Sequence, residues 1–302
     1  MTDLLGIMES WTPPTTSVRA EDGTLVEIPL ADIVSGKPVP ARPSVRLRAT
    51  AEEAERRALS SWRPREHTAL GDWVLRAAGG YTARANSVLA VGDPRVPLPQ
   101  AIAVVRSYYA SRRLPAWAQV VVGSEPEAGL VDAGWTTARP GEDDTVFALA
   151  PVAQAARGLR PLLPATPPRA QVEATLPDGW LAAEPLAAAA ADAARAVLEG
   201  AGETGFVSLH DWSGTTLVAK GRVALTSGAD PWAGVSDVWV HPDHRRQGLG
   251  LVVMDEMLTW AAERGVGTVF LQVRADNPEA RALYAKLGFV DHHRYRYLAA
   301  PA

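Results

Sequence analysis

The stretch VSDVWVHPDHRRQGLG, residues 235–250, begins as an apolar run, breaks at Pro242 and ends with basic residues beside two glycines. A segment with helical periodicity follows, from Leu249 to Arg264. Where a strand gives way to a helix, successive backbone N–H groups are left without partners, and the helix start adds about half a positive charge. Gly248 and Gly250 bring no Cβ that would hold a ligand away. Arg245, Arg246, Gln247, Gly248, Leu249 and Gly250 therefore read as a backbone cradle for an anion such as a pyrophosphate. A P-loop is excluded because G-x-x-x-x-G-K-[ST] is absent. G-x-G-x-x-G is absent too, since Leu251, Val252 and Val253 follow Gly250. Glycines serving only a tight turn would leave the same mark, so the surrounding sequence has to decide.

Downstream, the strand-like TVFLQV at 268–273 leads into DNPEARALYAKLGFV at 276–290. Asn277 suits a helix N-cap, Pro278 the first helical position, and Gly288 the C-terminal stop. Ala280, Leu283, Tyr284 and Leu287 fall on one face, and a tyrosine on an apolar face needs a partner for its hydroxyl.

The same order of elements occurs earlier. NSVLAVGDPRVP at 86–97 leads into the amphipathic LPQAIAVVRSYYASRRL at 98–114, then AQVVV at 118–122 and EPEAGLVDAGW at 125–135. Ser87 to Val122 spans 36 residues and Ser236 to Val273 spans 38. Pro126-Glu127-Ala128 answers Pro278-Glu279-Ala280, and Gly134-Trp135 answers Gly288-Phe289. One βαβα unit is read as occurring twice. The first copy has prolines at 94, 97 and 99 where the second has its cradle. Proline lacks the N–H an anion needs, so only the second copy reads as a working site.

VWVHPDHRRQGLG and NPEARALYAKLGF resemble the two signatures of the GNAT superfamily of acyl-CoA N-acyltransferases, in the family's order. The whole chain is similar to actinobacterial tandem-GNAT proteins, some described as N-acetylglutamate synthases. The resemblance implies an α/β fold with a mixed sheet: tandem GNAT-like domains, the first degenerate, preceded by a small, incomplete Src-homology-3-like β-barrel piece. The expected boundaries are 1–43 for the β-rich piece and 44–158 for the degenerate domain. A proline-rich linker at 159–169 then precedes the catalytic domain at 170–302. The hairpin signal Asp22-Gly23 and the proline segment 37–43 mark the first boundary, and the four prolines of RPLLPATPPR the second.

The resemblance further implies acetyl-CoA as co-substrate. The backbone of Val238, Trp239 and Val240 should hold its pantetheine arm, with the Val240 N–H as oxyanion donor, and Arg245 to Gly250 its pyrophosphate. Asn277 should touch the coenzyme, besides its capping role. Tyr284 should protonate the departing thiolate. The acceptor is expected to be a small-molecule amine, L-glutamate first, which would place the chain in amino-acid (arginine) biosynthesis. An amino-sugar thiol precursor or a protein N-terminus are the alternatives within that class. A coenzyme A-binding regulatory module without turnover is the alternative outside it.

The remaining site residues are read from the sequence itself. An acceptor ammonium must lose a proton, so a carboxylate is sought near the motif strand. Asp237 lies on it, yet strict alternation turns it away from Val238 and toward solvent. Glu203, in the loop before the first strand of the second half, is the other candidate. In AAGGYTARANSV, residues 77–88, Arg84 and Asn86 share one side and could hold a substrate carboxylate. His241, His244, His292 and His293 are four of only six histidines. No acidic residue repeats at ligand spacing among them, so no metal is expected. On the last strand, His292 and His293 should point to opposite faces, and Tyr295 and Tyr297 to a common one.

Composition sets the bounds. The 302 residues carry 30 basic and 34 acidic side chains and no cysteine. Disulfides and thiolate chemistry are excluded, and the slightly acidic balance gives no footprint for nucleic acid. No apolar run suits a membrane span or a secretory signal, so a cytoplasmic monomer or homodimer is expected.

Overall fold

The computed structural model describes residues 4, 6–20, 24–35, 48–139 and 144–301. The turn expected at Asp22-Gly23 and the proline segment 37–43 lie outside them. The chain divides into two compact units, Met1–Pro43 and Ser44–Ala302. In the first unit β1 (Gly6–Thr12), β2 (Thr15–Ala20) and β3 (Leu25–Pro29) form an antiparallel sheet in that order. Thr16 is its one buried residue among those described, so the sheet has little core of its own.

The second unit holds both halves of the repeat. Its first half runs α1 (Ala51–Ser61), β4 (Glu66–Leu70), β5 (Trp73–Ala77), β6 (Val88–Leu89), α2 (Leu98–Ala110) and β7 (Trp117–Val121). It ends with α3 (Glu125–Asp132), β8 (Thr136–Thr137), β9 (Thr145–Pro151) and α4 (Val152–Leu159). After the short β10 (Gln171–Glu173) come α5 (Pro185–Ala189), α6 (Ala191–Leu198), β11 (Thr204–His210), β12 (Leu217–Leu225) and β13 (Trp232–Val240). Then follow α7 (Leu249–Glu263), β14 (Thr268–Arg274), α8 (Pro278–Lys286) and β15 (Val290–Ala299).

The repeat read from the sequence is visible in its details. Ser124 caps α3 as Asn277 caps α8. Gly134 and Gly288 end those helices with φ of 85° and 87°, the left-handed conformation glycine adopts without strain. In the first half α2 starts on Pro97 with Pro99 in its opening turn, which removes the donors the second half retains.

The sheet does not stop at the linker. Its order is β10-β11-β12-β13-β14-β9-β15-β7-β6-β5-β4, with β8 also on β15. β9 comes from the first half, yet it pairs with β14 along its whole length, from Thr145 on Arg274 to Pro151 on Thr268. β15 comes from the second half and pairs with β7, Tyr295 opposite Val121. Each half thus completes its sheet with a strand of the other. That is why the proline-rich segment 159–169 does not divide two compact bodies. α4 and α7 cover one face over Val146, Ala148, Val223 and Val235. α1 covers the other, with Ala54 and Ala58 against Phe147, Trp232 and Phe270.

Candidate active site

β13 and β14 run parallel but pair only over Trp232–Val235 and Thr268–Leu271, although β13 continues to Val240. Beyond that point they part, leaving one edge of β13 unpaired. On the other edge the register slips, because Lys220 faces Trp239 whereas Arg222 faces Ser236. The extra residue is a β-bulge, and Asp237 takes φ of 57° there. Aspartate tolerates that left-handed conformation better than most residues.

The bulge overturns the solvent-facing expectation for Asp237. Its side chain is 11% exposed and accepts from the Lys220 ammonium at 3.3 Å. Lys220, fully buried, also meets Glu184 at 2.8 Å and lies 3.8 Å over the Trp180 ring. Burial, together with the hydrogen bond to Glu184, pushes the Asp237 carboxyl up to about 7. Arg222 is buried beside them and donates to Ser61 O and Leu198 O at 2.8 Å each. Neither Lys220 nor Glu184 stands in a motif, so sequence reading missed both. A lysine alternating into a strand as apolar as LVAKGRVAL was the one available signal.

From β13 the chain makes a single 3₁₀ turn at Pro242–His244 and enters α7 through Gly248 at φ 77°. The N–H groups of Leu251 and Val252 return to Gly248 O at 2.9 and 3.2 Å. Among the described residues those of Arg246, Gln247, Gly248, Leu249 and Gly250 have no partner. Five free donors at a helix start, with Arg245 and Arg246 exposed beside them, match a diphosphate in charge and hydrogen bonding. A Cβ on Gly248 would lie 3.0 Å from Pro164, so the linker runs close by.

Val238, Val240, Val273 and Tyr284 are half-buried against the α7 core. Asp237 reaches the opposite face, toward Lys220 and Trp180. The Tyr284 ring packs edge-on to Phe289 at 5.7 Å, and burial pushes its hydroxyl up, so the phenol keeps its proton. The side chain of Trp239 packs on His241 at 5.7 Å.

The other sequence candidates divide. Arg84 donates to the Tyr295 hydroxyl at 3.3 Å and lies 5.2 Å from the Trp62 ring, while its buried Nε has no partner. Asn86 does not offer a free group. Its Oδ1 accepts from Ala78 and Gly80, and its Nδ2 donates to Tyr81 O and Thr82 O, so it ties the glycine turn together. Glu203 pairs with Arg264 at 2.5 Å. It stands at the far end of β13, roughly 20–25 Å from Val240 along the strand. It is therefore not brought to the motif. Asn277 Oδ1 caps α8 by accepting from Ala280 at 3.1 Å.

His292 and His293 do not point apart. A bulge between Asp291 and His293 brings their Nδ1 atoms to 2.7 Å. His292 Nε2 reaches Ala49 O and His293 Nε2 reaches Glu55, so the pair ties β15 to α1. Among the described residues no three His, Cys, Asp or Glu side chains converge as metal ligands. Among them no helix is long and apolar enough to cross a membrane.

Residues 49–298 match the family described as Probable histone acetyltransferase Rv0428c C-terminal. The chain belongs to that family. It is 29% identical over 314 residues to the Mycobacterium tuberculosis protein named Probable histone acetyltransferase Rv0428c, covering 99% of this chain and 89% of that one. It is 45% identical over 53 residues to the Escherichia coli [ribosomal protein bS18]-alanine N-acetyltransferase, or 18% of this chain and 36% of the relative. The chain spans about a third of the length of the first curated relatives it matches. In fold it resembles a tandem GNAT protein from the clavulanic acid biosynthesis pathway. That match has a TM-score of 0.55 and 20% identity, over 72% of this chain and 76% of the other. The chain is thus an acetyltransferase-family member with the mixed GNAT sheet.

Proposed function

We propose that the chain transfers an acetyl group from acetyl-CoA to the amine of a small molecule bearing a carboxylate, with L-glutamate as the first candidate. The observation that carries this reading is the parted β13–β14 pair, with the diphosphate cradle at its mouth and Asp237 beside its free edge. Bound acetyl-CoA supplies the activated acyl group. Arg245 to Gly250 hold its diphosphate through backbone donors, and Asn277 stands beside the arm. The unpaired edge at Val238 to Val240 aligns the pantetheine, and the Val240 N–H stabilises the oxygen of the carbonyl under attack.

Asp237 takes the proton of the acceptor ammonium. A carboxyl near 7 is matched to that work at neutral pH. Tyr284, from the opposite face, gives its proton to the departing sulfur. Arg84 supports a carboxylate on the acceptor, since its buried Nε has no other partner among the described residues. A protein acceptor is the second reading, favoured by the histone and ribosomal-protein substrates in the names of the relatives.

The test is coenzyme A release from acetyl-CoA with L-glutamate, other small amines and a peptide with a free N-terminus. Tyr284→Phe should lower kcat by about 10²-fold or more and leave the KM for acetyl-CoA in place. Unchanged kcat removes Tyr284 from the acid role. Turnover with the peptide alone replaces the small-molecule reading by the second one.

A further inference from the structure

The buried lysine beside the bulge points to a role beyond packing. Lys220 has three N–H donors, and all three are engaged: one on Glu184 at 2.8 Å, one on Asp237 at 3.3 Å and one toward the face of Trp180. Glu184 comes from the residue just before α5, far from either motif in sequence. Its side chain is 35% exposed, against 11% for Asp237. Two carboxylates held on one buried ammonium stand close enough that they do not both ionise freely, so one proton is shared between them. Glu184 lies closer to the ammonium and nearer to solvent, which leaves the proton on the deeper Asp237.

We infer that Glu184, anchored by Lys220, is a positioning residue that holds Asp237 in the bulge and sets the pH at which Asp237 can accept a proton from the acceptor. This rests on the reading of Asp237 as the base. The charged and titratable groups facing Asp237 are Lys220 and Arg222 from β12, Glu184 from the start of α5, and Tyr81 from the glycine turn of the first half. Of these, only Glu184 favours protonated Asp237 by both charge and hydrogen bond. Burial opposes ionisation of Glu184, but its bonds to Asp237 and Lys220 hold its carboxyl below the ordinary value. Lys220 favours the ionised form of both. The two neighbours therefore pull Asp237 in opposite directions, a signature that general loosening of the fold does not produce.

The experiment titrates the full chain labelled with [¹³C]carboxyl aspartate, the Asp237 signal being identified by its loss in Asp237→Asn. In Glu184→Gln the Asp237 midpoint should fall by about one pH unit or more. In Lys220→Met it should rise by a similar amount. Melting temperatures of both variants check that the fold is retained. A Glu184→Gln midpoint equal to that of the unsubstituted protein overturns the inference, as do shifts of the same sign in both variants. The base reading fails separately, if Asp237→Asn releases coenzyme A at the unsubstituted rate while the two midpoints still move apart.

Discussion

Asp237 was legible as an acid on the motif strand, but its direction was not. Strict alternation assumes an unbroken ladder, and the slip between Lys220 and Arg222 breaks it without any glycine or proline to announce it. The partners of Asp237 were hidden for a different reason. Lys220 and Glu184 act through three-dimensional proximity, and neither has a fixed spacing to the motif. The raised carboxyl makes the stability of the fold depend on pH. The unfolded carboxylate ionises near pH 4, the folded one at about 7, so the folded state holds the proton more tightly. The stabilisation is complete at acid pH and fades as pH rises through 7. Between pH 5 and 8 the melting temperature should fall further in the unsubstituted protein than in Asp237→Asn, as calorimetry across that range would show. Parallel curves for the two proteins would refute the assignment.

At the scale of elements, helix starts were the most readable feature. Gly248 and Asn277 were both expected at helix entrances, and both serve as N-caps. Their substitutions should separate stability from binding. Asn277→Ala loses the bond to Ala280 and should cost about 1 kcal/mol, lowering the melting temperature by about 2–3 °C. If Asn277 also touches the coenzyme, the KM for acetyl-CoA rises with it; an unchanged KM restricts it to capping. Gly248→Ala puts a Cβ into the left-handed region and within 3.0 Å of Pro164. It should raise the KM for acetyl-CoA at least about tenfold by turning donors out of the cradle. Equal KM values would show that the diphosphate binds elsewhere. The pairing of His292 with His293 was not readable, because the bulge that joins them depends on β9, a strand from the other half.

For the molecule as a whole, sequence periodicity revealed two similar halves, and nothing in it revealed that they exchange strands. A pattern of apolar residues states that a strand is buried; it does not name the neighbour. The strands lying between β14 and β7 are β9 and then β15, each paired to the half it does not come from. Residues 170–302 expressed alone should therefore be largely unfolded by circular dichroism, despite carrying both signature motifs. Co-expression with residues 44–165 should restore a soluble pair. A folded 170–302 fragment on its own would show that β9 is dispensable.

The exchange also changes where damage is felt. The first half has prolines where the second has free donors, yet its β9 is not dispensable, because Val146, Ala148 and Ala150 lie in the core that α7 covers. An unbiased search for inactive variants should return substitutions in that strand, in the half whose helix start carries prolines in place of free donors. The acetyl transfer proposed above should thus depend on both halves, because each supplies a strand to the sheet of the other.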